Sequence, residues 1–357
     1  MLYICGLRNE FTHFFFGHAY FYIGDIMLIM TKSVLASMIS FLLTIVLSLI
    51  LIPILKKFKI DQILSVYLER THGSKKDTPT MGGLIFVFST LITIVLLLLL
   101  DKINLTYNFL IIIWVFVSYS LIGFIDDYLI IKRSSNKGLS ENQKFIMQIF
   151  VAIIFFYLFM VSGNEPLLWV HTLNIKYDIG FLYGLFILFV LVASSNAVNL
   201  TDGLDGLATG LSIIAYFTFG LISWNTGWLS GYSEIAIFCF IMVGSLLGFL
   251  VFNSHPAKIF MGDTGSLSLG ATLGSIAILT RHELLLVIIG IVFVLETLSV
   301  ILQVSYFKIT HGKRLFKMAP IHHGLEKMGY KETDIVKFFW ILGLIGSMIA
   351  IGFGIWI

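Results

Sequence analysis

Ten long apolar stretches set the limits on what this chain can become. A helix needs about 20 largely apolar residues to cross a bilayer. Candidate stretches occur at about 33–55, 82–100, 109–125, 145–161, 179–193, 207–223, 235–252, 267–280, 284–304 and 338–357. Of the 357 residues, 58% are hydrophobic and 12% charged, against about 45–50% apolar and 25% charged in soluble domains. That balance excludes a soluble enzyme, a disordered chain and a nucleic-acid binder. The expected fold is all-α: a polytopic integral membrane protein of about ten transmembrane helices, with one transmembrane domain over 31–357. Residues 1–30 read as an N-terminal extension, aromatic-rich but carrying His13, His18 and Asp25, for which an interfacial placement is expected. Cys5 and Cys239 form neither a metal spacing nor a disulfide pair.

Orientation follows from the placement of Lys and Arg, which concentrate in cytoplasmic loops. Lys56, Lys57, Lys59, Arg70, Lys75 and Lys76 lie between the first two spans. Lys132, Arg133, Lys137 and Lys144 lie between the third and fourth, and Lys258 follows the seventh. Lys308, Lys313, Arg314, Lys317, Lys327, Lys331 and Lys337 occupy the segment before the last span. The opposite face keeps Arg8, Lys32, Lys102, Lys176 and Arg281. The asymmetry places the first face in the cytoplasm and both termini outside.

Against so few charges, the acids are informative. Asp126 and Asp127 end the third span at FIDD, Asp202 and Asp205 lie in NAVNLTDGLDG, and Asp263 lies in FMGDTGS. His322 and His323 lie in APIHH. All fall on the cytoplasmic face, where five carboxylates in one region repel one another unless a cation intervenes. Mg²⁺ suits this setting, because it takes one or two carboxylates and fills its other positions with water and phosphate oxygens. Gly203, Gly206, Gly262 and Gly265 allow close backbone approach to a ligand. Thr264 and Ser266 stand at a helix start, where free N–H groups favour anions. The pattern fits phosphoryl transfer at a membrane surface, a chemistry of positioning and charge neutralisation. Each motif alone also has a structural explanation as a cap, a turn or a water boundary; their coincidence on one face favours function. Glu296 lies within a span, which marks it either as functional or as a structural carboxylate bonded to Gln303 or a neighbouring helix.

At these motifs the sequence resembles the bacterial phospho-N-acetylmuramoyl-pentapeptide transferases, within the polyprenol-phosphate N-acetylhexosamine-1-phosphate transferase superfamily. The matching segments are TPTMGG (78–83), FIDDYLIIKR (124–133), GLSENQKF (138–145), NAVNLTDGLDGLATG (196–210), FNSHPAKIFMGDTGSLSLGATLG (252–274) and KMAPIHHGLEKMGY (317–330). The resemblance implies transfer of phospho-MurNAc-pentapeptide from UDP-MurNAc-pentapeptide to undecaprenyl phosphate, giving lipid I and UMP with Mg²⁺, in a bacterial cell membrane. It implies Asp126 as the base toward the lipid phosphate, and Asp263, Asn199 and Asp127 as Mg²⁺ ligands. It further implies Lys75, Thr80, Asn199, Asp202, Asp205, Asn253 and Phe260 in the nucleotide-sugar site, with His322 and His323 completing the pocket. A homodimer is also implied. The chain departs from the family where a third histidine usually stands, at Gly324, and at Asp77, where Gly is common. The rivals are a transferase of GlcNAc-1-phosphate to the same kind of lipid, an ion-coupled transporter, and an intramembrane aspartyl protease. The transporter predicts midplane acids and an inverted repeat, neither of which is evident. The protease needs Gly where Phe260 stands.

Overall fold

The computed structural model describes residues 3–57, 78–133, 138–170, 175–226 and 229–355, with side chains in the first segment described from Leu28 onward. Lys75 lies outside the described residues. Twelve helices and one hairpin follow in order: α1 (Tyr3–Lys57), α2 (Gly83–Leu99), α3 (Tyr107–Arg133), α4 (Glu141–Val161), β1 (Leu167–Val170), β2 (Ile175–Asp178), α5 (Leu182–Thr201), α6 (Leu207–Trp224), α7 (Tyr232–Asn253), α8 (Gly262–Leu279), α9 (Glu283–Ile289), α10 (Ile291–Ile309), α11 (Ile321–Lys327) and α12 (Glu332–Ile355). Among the described residues, α1 from Leu28 and α3, α4, α5, α6, α7, α10 and α12 are long and apolar enough to cross a membrane. The protein is an all-α polytopic membrane protein, as its hydropathy predicts.

The remaining two expected spans deviate for physical reasons. The stretch at 82–100 folds as α2, which has 17 residues. The stretch at 267–280 belongs to α8, which starts earlier, at Gly262, and is buried throughout from Thr264 to Leu279. Its Ser, Thr and Gly content lowers its hydropathy, because a helix packed on all sides by protein needs small residues more than lipid-facing ones. Gly270 lies so close to the backbone of Ser194 and Ser195 on α5 that no Cβ would fit. The stretch at 284–304 is one span in the sequence but two helices in the structure, α9 and α10, divided at Gly290. The hairpin β1–β2, antiparallel with Leu167 opposite Asp178, falls outside the all-α expectation. It is held from beneath by Arg281, which donates to the carbonyls of Leu167 and Glu165.

Buried hydroxyls join α1, α2 and α7. Thr44 donates to Ser89 at 2.7 Å, Ser89 to the Ser40 carbonyl at 2.8 Å, and Ser40 to the Ile241 carbonyl at 2.8 Å. In lipid such bonds hold helices together where burial of apolar surface gives little drive. Leu42, Val46, Leu49, Phe150, Ile153, Phe189, Ile301 and Ile341 point outward, the arrangement expected of a lipid-facing belt.

Gly270→Val tests the central contact. It should destabilise the fold by about 1–3 kcal/mol through overpacking, read as a lower Tm of the detergent-solubilised protein. Gly352→Val, at a position with open space around it, should leave Tm unchanged.

Candidate active site

The FIDD motif forms the last turns of α3, and α8 begins beside it. Gly123, one turn before Asp126, lies against the Asp263 backbone with no room for a Cβ. That approach brings the two acidic motifs together. Asp127 then caps α8. Its Oδ1 accepts the Asp263 N–H at 3.0 Å, and its Oδ2 accepts the Thr264 N–H at 2.9 Å and the Thr264 hydroxyl at 2.6 Å. The free N–H groups at a helix start need such acceptors. Here a different helix supplies one, with the favourable sign for the helix dipole. Gly262 carries the left-handed φ of +70° that turns the chain into α8 beside that carboxylate.

A chain of charge runs from this cap. Asp126 is buried; its Oδ1 accepts the Leu139 N–H at 2.6 Å, and its Oδ2 lies 3.1 Å from Lys144 Nζ. The same Nζ lies 2.8 Å from Asp263 Oδ2. Asn199 Nδ2, near the end of α5, donates to Asp263 Oδ1 at 2.8 Å and to Ser266 Oγ at 2.8 Å. Lys144 is positioned by the capping box at the start of α4, in which Ser140 and Gln143 satisfy each other's backbone N–H groups. The described residues thus join Asp126, Asp263 and Asn199 through contacts of 3.1 Å or less.

Lys144 is the member the sequence analysis did not single out. It counted there only as loop charge, and its one clue was its place in GLSENQKF. It now occupies the point where two carboxylates converge, which is the stand-in position of a cation. The donor set suits Mg²⁺: hard oxygens, with Asp263 reachable from solvent at 23% side-chain exposure against 4% for Asp126. Asp127 stands one step back, both of its oxygens engaged on α8.

TPTMGG reaches the same place through backbone pairing. Phe260 N–H donates to the Pro79 carbonyl at 2.9 Å, Gly82 N–H to that of Phe260 at 2.8 Å, and Gly83 N–H to that of Met261 at 2.8 Å. Thr80 therefore lies beside Gly262. Phe260 is half-buried, and Asp202 follows the end of α5.

Three expected ligand contacts are engaged within the protein. Asn253 is buried, accepting from the Thr209 hydroxyl at 2.6 Å and donating to the Ile259 carbonyl at 2.9 Å. Asp205 Oδ2 accepts the Ala257 N–H and lies 3.0 Å from His255 Nδ1, while the Asp205 N–H donates to Glu332 at 2.7 Å. Asp205, His255 and Glu332 lie close enough to resemble a metal cluster, but these bonds make them a clasp that ties α12 to the loops after α5 and α7. His323 Nδ1 lies 2.8 Å from Glu326. His322 is buried in α11, packed against Gly203.

Residues 108–281 match the model of Glycosyl transferase family 4, which defines the class: a membrane-embedded glycosyl transferase. Residues 75–87 match signature 1 of phospho-N-acetylmuramoyl-pentapeptide-transferases. The phospho-N-acetylmuramoyl-pentapeptide-transferase of Geobacillus thermodenitrificans is 44% identical over 324 residues, covering 91% of this chain and 98% of the relative. That of Staphylococcus carnosus is 46% identical over 323 residues, covering 89% and 98%. The chain belongs to the phospho-N-acetylmuramoyl-pentapeptide-transferase family.

Asp127→Asn separates a cap from a ligand. The substitution puts an amide NH₂ against N–H and O–H donors, and should cost about 1–3 kcal/mol of stability, seen as a lower Tm of the purified protein. An unchanged Tm would mean that Asp127 does not cap α8.

Proposed function

We propose that this chain transfers phospho-MurNAc-pentapeptide from UDP-MurNAc-pentapeptide to undecaprenyl phosphate, yielding lipid I and UMP in peptidoglycan synthesis. The observation that carries the proposal is the Asp126–Lys144–Asp263–Asn199 chain at one end of the bundle, in a family whose relatives bear that activity in their name. The Lys and Arg asymmetry supports a cytoplasmic position for this end and extracytoplasmic termini, in the bacterial cell membrane. The partners are the two substrates, the bilayer and a second copy of the chain.

The chemistry brings two anions together. The lipid phosphate oxygen forms a bond to the sugar-bearing phosphorus of the diphosphate, and the bond from that phosphorus to the bridging oxygen breaks to release UMP. A phosphate monoester is already largely ionised near neutral pH, so Asp126 has only a residual proton to accept. Both Asp126 oxygens are engaged, by Leu139 N–H and Lys144, an arrangement that fixes the carboxylate and lowers its nucleophilicity toward phosphorus. We therefore favour direct transfer over a phospho-enzyme. Lys144 spaces the two carboxylates and offers positive charge to the incoming phosphates. Mg²⁺, when bound, supplies neutralisation of the diphosphate as its bond breaks; Asp263 and Asn199 would hold it, with Asp127 fixing the Asp263 backbone. Lys75, Thr80, Asp202, Phe260, His322 and His323 are assigned to the nucleotide sugar. Asp205 and Asn253 shape its loops from behind.

The test is UMP release by the purified chain in lipid nanodiscs with undecaprenyl phosphate. UDP-MurNAc-pentapeptide should react and UDP-GlcNAc should not; release from UDP-GlcNAc alone would assign the chain to the GlcNAc-1-phosphate transferases instead. Asp126→Asn and Asp263→Asn should each lower turnover by about 100-fold or more, the scale of lost electrostatic stabilisation.

A further inference from the structure

Glu296 lies in α10, within a membrane-spanning helix, and is fully buried. A carboxylate in that position needs compensation. Gln303 does not provide it: the Gln303 side chain accepts the Phe316 N–H at 2.8 Å. Among the described residues, the donors that reach the Glu296 carboxylate belong to His322. The His322 backbone N–H points at both oxygens, at 3.2 and 3.4 Å. The ring Nδ1 lies 3.2 Å from Oε2, out of line for a hydrogen bond in this rotamer but a small rotation from one. Bonds of this kind are often poorly aligned before ligand binds.

The other edge of the ring is different. His322 Nε2 is buried with no hydrogen-bond partner among the described residues. It abuts Gly203, where a Cβ would collide with it, in the loop that also carries Asp202 and Asp205. An orphaned buried nitrogen is costly, and such groups call for an explanation. The groups facing the ring are Glu296 from α10, and His323 and Glu326 from α11. Burial holds the imidazole below its ordinary pKa, with Glu296 opposing. The ring is therefore neutral near pH 7.5, one nitrogen carries the proton, and the choice of nitrogen matters.

We infer that Glu296 is a positioning residue for His322: it accepts the Nδ1–H and the backbone N–H together, and so leaves Nε2 as a bare acceptor at the Gly203 edge of the nucleotide-sugar loop. A bare acceptor repels phosphate oxygens and takes an O–H or N–H, so His322 serves a donor group of the nucleotide sugar. Gly203 is required because any side chain there would collide with Nε2 and displace the ring. The inference rests on the assignment of His322 to the substrate pocket.

The test uses the full chain in nanodiscs, with ¹⁵N-labelled histidine and His322→Gln to identify the His322 signals. At neutral pH the wild-type ring should be the Nδ1–H tautomer; an Nε2–H ring would overturn the inference. Glu296→Gln has one acceptor for two donors. Its oxygen must serve the fixed backbone N–H, and its NH₂ then faces Nδ1 and moves the ring proton to Nε2. Turnover should fall roughly 10–100-fold or more, as it does when a partner that orients a histidine is lost, while Glu296→Asp, which keeps both acceptors, should recover part of it. A Glu296→Gln enzyme with the parental tautomer or the parental kcat would overturn the inference. Gly203→Ala should lower turnover with the Nδ1–H tautomer intact, and parental turnover there would remove Gly203 from it. If His322→Gln keeps full turnover, it is the assignment of His322 to the pocket that fails, separately from the ring state that Glu296 sets.

Discussion

One ammonium between two carboxylates holds the functional end of this protein together. Asp126 and Asp263 come from helices far apart in sequence, and their charges would drive those helices apart without Lys144 between them. Coulomb repulsion at such distances is several-fold stronger near low-dielectric protein than in bulk water. A cation is therefore part of the fold as well as part of the site. The steric side of the same constraint is Gly123, which lets α3 lie against the start of α8, and the polar side is Asp127, which caps that start. Substitution at any of these points should be felt at the others.

The family's motifs serve two functions in this arrangement. Some meet at the open end of the charge chain: Asp263 is the more open acid, and Asn199 adjoins it. Others build the walls. Asn253 bridges Thr209 and Ile259, and Asp205 organises the 255–257 turn and takes part in holding α12. A motif residue close to a ligand in sequence can thus act through the loop it shapes. The glycines follow the same division: Gly270 is a helix-packing position, whereas Gly203 leaves room for a histidine.

Much of this was legible in the sequence, because membrane helices announce themselves by length and hydropathy and because scarce charges stand out against them. Eight of the ten expected spans and the meeting of FIDD, NLTD and GDTG were readable. What was hidden has identifiable causes. Lys144 looked like any basic loop residue, and only the fold shows that it reaches across to Asp263. Asp127 and Asp126 are adjacent, yet one points into a helix start and the other toward a lysine, a difference that sequence spacing cannot express. The break at Gly290 lies inside a continuous apolar run. The strands at 167–170 and 175–178 have four residues each, the second exposed, too short to show an alternating pattern. Glu296 was visible as an intramembrane acid, but its partner was not Gln303; α11 brings His322 back onto it.

On the proposed function, Asp263, with Asn199 beside it, is poised for a divalent cation that lets two phosphates approach each other. Titrating Mn²⁺ as a spin probe into the purified chain, with UDP-MurNAc-pentapeptide bound, tests it most directly. One tightly held ion per chain is expected in the parent protein, and its loss in Asp263→Asn. Equal Mn²⁺ binding by the two proteins, or none in the parent, would contradict it.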